Sequence, residues 1–297
     1  MPLKRCLWIS IVVANCSAVM QAQSLSNLNV ADATVRPTQG LLPALDINRL
    51  SFNGTAAGAP DNPDNSQAAI EEERHGTVAH YTLRILHDQK SIYVAPFRPP
   101  NWKWDALVLV PTGILLAEDR HIQAHLPGGN LNRYSVISNV TIGTTAGALA
   151  ATWIYGLKTK DSHAAELGYM EIESLIDTFL VYAPMQFIAG RQRPGEGNGH
   201  GDFLKHHAMN TSFPAGHAMF TWNMASVAAH EYPKTWVKIL AYGAALTVTT
   251  TRFVGRDHWA SDTFAGAALG YFIGSHVFHT RCDPELDKGC SRPESGD

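Results

Sequence analysis

Two arginines and two histidines in the second half of the chain have the types and spacing for chemistry on an oxyanion. They fall in three blocks: Arg193-Pro194, then Pro214-Ala215-Gly216-His217, then Arg252 with His258 and Asp262. A guanidinium stays charged at any working pH and presents a fixed fork of donors, so Arg193 and Arg252 can hold a phosphate-like group. Two imidazoles can divide the remaining work between a nucleophile and a proton donor, as phosphoryl transfer through a covalent intermediate requires. Asp262 follows His258 by four residues. On a helix that spacing puts both on one face, with the carboxylate accepting the imidazole N–H. His217 follows Gly216 at an expected helix start, where free backbone N–H groups favour an anion. Plainer readings exist: a capping histidine at 217, a structural histidine at 258, and arginines paired with acids such as Asp257. The cost of burying an unpaired guanidinium within apolar helical segments weighs against the last of these.

At these residues the chain resembles the superfamily of type 2 phosphatidic acid phosphatases, bacterial class A acid phosphatases and vanadium haloperoxidases. The pattern of that superfamily runs K-x6-R-P, P-S-G-H and S-R-x5-H-x3-D. Here Thr251-Arg252, His258 and Asp262 match the third block except for its leading serine. Ala215 stands at the serine of the second block, and Gln186 at the lysine of the first. The resemblance covers residues 104–279 and implies a phosphate cradle of Arg193, Arg252, Gly216, Ala215 and Gln186. It also implies a nucleophile at His258, an acid–base at His217 and Asp262 behind the nucleophile. Losing one cation and one hydroxyl from a dry site costs about 2–4 kcal/mol of transition-state binding. Arg191, Lys205, His206 and His207 lie near enough in sequence to replace the charge. The alternative is a weakened or inactive domain.

These residues need a scaffold, and the chain around them reads as helix throughout. Helical segments are expected at 104–119, 134–157, 164–190, 215–231, 235–252 and 258–279, all longer than strands and with no alternating pattern. A shorter helix is expected at 77–88. Pro111 and Pro184 should kink or divide their segments. The fold class is therefore all-α, a bundle of about six core helices, which is also the fold implied by the resemblance. The domain expected at 77–280 follows a signal peptide at 1–22 and a flexible linker at 23–76, and precedes a tail at 281–297.

A positive start at Lys4 and Arg5, then an uncharged apolar stretch and small Ala22, reads as a secretory signal. Cys282 and Cys290 can close a small loop in an oxidising compartment or remain free thiols. The protein is accordingly expected in the periplasm or cell envelope. The uncharged stretch 135–157 is long enough to span a bilayer. Its asparagine, threonines and glycines suit a buried helix of a soluble or peripherally associated protein equally well.

A net charge of −3 over 297 residues gives no basic field for nucleic acid. The His200, Asp202, His206 and His207 stretch lacks the spacing of common zinc sites and reads as a loop beside the site. No metal or other cofactor is expected. The sequence thus points to a metal-independent phosphatase acting on a lipid phosphate or small organic phosphate. A vanadate-dependent haloperoxidase and a non-catalytic phosphate-binding envelope protein are the alternatives.

Overall fold

The computed structural model describes residues 82–129, 131–284, 286 and 290. The expected signal and linker, and the first residues of the expected 77–88 helix, lie outside the described residues. The chain divides into two units, Ser26–Arg84 and a second comprising Met1–Leu25 with Ile85–Asp297. Everything below concerns the second unit.

Among the described residues the structure is helical, with no strand. Helix α1 (82–94) is followed by two short 3-10 turns, then α2 (Trp102–His125), α3 (Asn132–Thr159), α4 (Ser162–Ala189), α5 (Gly216–Glu231), α6 (Thr235–Val254) and α7 (Ala260–Arg281). Asp161 caps α4, its side chain accepting from the Ala164 N–H. Gly190 ends α4 in the left-handed region, where a side chain would be strained. Pro111 and Pro184 sit inside α2 and α4 without dividing them. Asp177 on α4 accepts from Gln89 at 2.8 Å and ties α1 to the bundle.

The centre of the bundle is the pair α5 and α7. Gly266, Gly270 and Gly274 recur every fourth residue on α7 and face the α5 backbone. A Cβ at Gly270 would lie 2.0 Å from the Met219 carbonyl oxygen, and one at Gly274 2.6 Å from that of Asn223. Only glycine permits this approach. Val227, Met219, Ile273, Val277 and Phe278 fill the interior on either side.

The outer helices expose much apolar surface. Trp104, Leu107, Leu109, Val110 and Ile114 on α2 are open, as are Ile172, Ile176, Phe179 and Phe187 on α4. Helix α3 is long and apolar enough to cross a membrane by length and composition, and only 6% of its apolar window is buried. The sequence left a buried helix and a bilayer span equally open for 135–157, and in the structure this window is largely unburied.

Candidate active site

The close approach of α5 and α7 brings the histidine-bearing ends of both helices together. The Ala215 N–H, just before α5, donates to the carbonyl of Asp262 in the first turn of α7 at 3.0 Å. His217 is the second residue of α5, and His258 lies in the short loop ahead of α7. The long loop between α4 and α5, from Gly190 to Ala215, folds over the same end and carries Arg193.

Arg252, in the last turn of α6, is held on all sides. Its Nε donates to Ser138 Oγ at 2.8 Å and its Nη1 to the Asp257 carboxylate at 2.9 Å. Its Nη2 meets Asn139 Oδ1 and lies 2.6 Å from Nε2 of His217. Asp257 also accepts from Ser135 at 2.8 Å. Arg193 is half-buried, with Nη1 donating to the Asp257 carbonyl at 3.1 Å and Nη2 to Asn210 at 2.8 Å. Asp257 thus braces both guanidiniums, one through its carboxylate and one through its backbone.

Because a guanidinium can only donate, Nε2 of His217 must accept here, and the ring is neutral. Burial first, and then the positive charge of Arg252, pushes His217 down to about 4. His258 is buried more deeply, and its Nδ1–H donates to the Ser212 carbonyl at 2.8 Å. That bond fixes the proton on Nδ1 and leaves the lone pair on Nε2. Burial, followed by Arg193, pushes His258 down to about 3. Both imidazoles are therefore neutral bases near pH 7, the state a nucleophile requires.

Asp262 does not accept from His258. Helix α7 begins only at Ala260, so His258 and Asp262 never share a helical face. Instead Asp262 receives Arg191 Nη1 at 2.5 Å, Ser212 Oγ at 2.5 Å and the Trp259 N–H at 3.0 Å. Burial pushes this carboxyl up to about 6, against the pull of Arg191.

The structure gives three of the expected cradle residues other contacts. Arg191 is buried, with its donors on Asp119, Asp262, Ser261 and the Gly201 carbonyl. Gln186 accepts from the Thr211 N–H at 2.6 Å and Thr211 Oγ1 at 2.9 Å, and donates to the Pro214 carbonyl at 2.7 Å. Its carboxamide latches the α4–α5 loop. Ala215 is fully buried and brings no side-chain donor. Gly216 opens α5 against Tyr182, whose ring would meet a Cβ at 2.9 Å. Lys205, His206 and His207 are exposed on the loop, with His207 on the Phe187 carbonyl and His206 4.0 Å from Glu196.

Sequence reasoning overlooked Ser138, Asn139, Asn210, Ser212 and Asp119 as site residues. Asn139 had a signal, as a polar interruption of an apolar helix. Asp257, named as a possible arginine partner, turns inward to Arg252, while its neighbour Arg256 reaches the Leu126 carbonyl.

Residues 172–283 match the family model of the PAP2 superfamily. Among curated proteins it is similar to the lipid A 1-phosphatase of Porphyromonas gingivalis, 34% identical over 65 residues. That match covers 21% of this chain and 15% of the relative's length. No solved structure matches the chain.

Proposed function

We propose that the protein is a phosphatase that hydrolyses lipid phosphate monoesters through a phosphohistidine, without a metal cofactor. The observation that carries this reading is the pairing of a buried, neutral His258, its lone pair on Nε2, with two braced guanidiniums and a second imidazole on Arg252. Phosphate oxygens take the guanidinium N–H groups of Arg193 and Arg252 that their bracing partners leave over, together with the N–H groups at the start of α5. His258 Nε2 attacks phosphorus as the P–O bond to the alcohol breaks, and the proton that the monoanionic ester brings in passes through the free Nε2 of His217 to the departing oxygen. Water then attacks the phosphohistidine, His217 takes its proton, the P–N bond breaks and inorganic phosphate leaves.

A lipid substrate is favoured by the apolar faces on α2, α3 and α4, which would meet acyl chains or a membrane surface. The lipid A 1-phosphatase relative supports the same substrate class. Location in the periplasm or cell envelope is supported by the bond between Cys282 and Cys290, which an oxidising compartment favours. The proposed catalytic domain spans 77–280.

The test is phosphate release by purified protein in chelator, from phosphatidic acid in mixed micelles and from an aryl phosphate. Release from both, faster from the lipid, is expected. Halide oxidation with vanadate and peroxide in place of hydrolysis would overturn the reading. So would inorganic phosphate binding without turnover of either ester.

A further inference from the structure

We infer that Asp119 and Arg191 are positioning residues for His258, acting through Asp262 and Ser212; this rests on the reading of His258 as nucleophile. The groups form one continuous chain drawn from α2, the α4–α5 loop and the start of α7. The His258 Nδ1–H ends on the Ser212 carbonyl at 2.8 Å, so wherever that carbonyl points, the imidazole follows. Ser212 itself is fixed twice more. Its N–H donates to the Arg191 carbonyl at 2.8 Å, and its hydroxyl donates to Asp262 at 2.5 Å.

Asp262 in turn is oriented by Arg191, whose Nη1 holds Oδ1 at 2.5 Å and leaves Oδ2 to Ser212 and the Trp259 N–H. Arg191 cannot rotate. Its guanidinium lies 4.9 Å from the Phe203 ring and 5.2 Å from the Trp259 ring, and its Nη2 donates to Asp119 at 2.7 Å. Asp119 closes the assembly by accepting from the Ser261 N–H at 3.0 Å and from the Ser261 hydroxyl at 2.5 Å. A carboxylate on α2 therefore clamps both Arg191 and the first turn of α7.

The burial of this chain makes its charges depend on one another. Arg191, Asp119 and Asp262 are 2%, 2% and 0% exposed, so removing any one leaves its partners in a medium that penalises bare charge. The planar fork of Arg191 serves two carboxylates and a hydroxyl at once, a geometry a lysine ammonium cannot reproduce. Neither Asp119 nor Arg191 bonds to Arg193, Arg252 or His217. Their influence falls on the direction and tautomer of His258 and not on the phosphate cradle.

The experiment compares the full-length protein with its Asp119→Asn, Arg191→Lys and Ser212→Ala variants. Nitrogen-15 histidine NMR, with the His258 signal assigned by its loss in His258→Gln, should show a proton on Nδ1 and none on Nε2. That pattern should become a mixture of tautomers in the variants. With phosphatidic acid, kcat should fall about ten- to hundredfold, as small misplacements of a reacting group do. The inhibition constant of inorganic phosphate should stay within about twofold, since the cradle is untouched. Ser212→Ala keeps every buried charge, so it carries the test if the charge variants fail to fold. An unchanged tautomer and kcat in Ser212→Ala would overturn the inference. A phosphate inhibition constant rising in step with the loss of kcat in Arg191→Lys would also overturn it, by placing Arg191 in the cradle. The tautomer reading needs no turnover, so an inactive wild type would sink the proposed function and leave this inference separately decided.

Discussion

Replacing Gln186 with lysine would restore the cation present at that position in related phosphatases, and the structure predicts harm instead of gain. The Gln186 Oε1 accepts from a buried backbone N–H and a buried hydroxyl of Thr211, at 2.6 and 2.9 Å. An ammonium has no lone pair, so the Thr211 N–H loses its acceptor, while the hydroxyl keeps the backbone carbonyl of residue 186 at 3.0 Å. Leaving a buried polar group unsatisfied costs about 1–3 kcal/mol. The Pro214 carbonyl, now 2.7 Å from Nε2, can still be reached by the ammonium, which returns part of the loss. The net expectation is about 1–3 kcal/mol of destabilisation, centred on the loop that carries Arg193. In a helical domain of this size that lowers Tm by roughly 2–12 °C. Thermal unfolding by circular dichroism, paired with kcat/KM on phosphatidic acid, measures both sides. A higher kcat/KM with an unchanged Tm would refute the reasoning, because it would mean that Gln186 does not hold the loop and that an ammonium there reaches phosphate.

Three further outcomes follow from the same geometry. With His217 pushed down to about 4 and His258 to about 3, both rings are neutral above pH 5, and the proton for the leaving group enters with the monoanionic ester. The profile of kcat/KM should therefore fall below pH 4 and above about pH 6, where a phosphate monoester loses its second proton; a plateau extending to pH 8 would contradict this. Both lowered imidazole values also favour the folded state above about pH 6.5, and that contribution is lost as pH falls through 4 and 3, which thermal unfolding across that range reads directly. Gly270→Ala should cost about 3 kcal/mol or abolish folding because its Cβ would meet the Met219 carbonyl, whereas Gly243→Ala on α6, with open space around it, should be neutral or stabilising in urea titrations.

Helix positions were legible because they depend on long apolar periods and on prolines and glycines at their ends. The expected 164–190 and 235–252 segments differ from α4 and α6 by two residues or fewer at each end. The order of the blocks also indicated which side chains would meet. The contacts that orient them were not legible, for identifiable reasons. The spacing of His258 and Asp262 suggested a helical pair, but Trp259 caps α7 and the helix starts one residue later, so their relation is that of a loop and a first turn. Arg191 and Gln186 stand beside the phosphate block in sequence, and nothing in sequence shows that their side chains turn into the protein. Asp119 lies between Glu118 and Arg120, a charged run that looks solvated, and only the docking of α2 beside α7 buries it.

The account stands most directly on the covalent step at His258. Protein mixed with phosphorus-32 phosphatidic acid, quenched in alkali where phosphohistidine survives, and digested for mass spectrometry reports where phosphate is bound. The account predicts phosphate on the peptide containing His258, formed faster than product appears in steady state and absent from His258→Gln. Turnover at the wild-type rate with no labelled histidine, or a label on another residue that persists in His258→Gln, would contradict it.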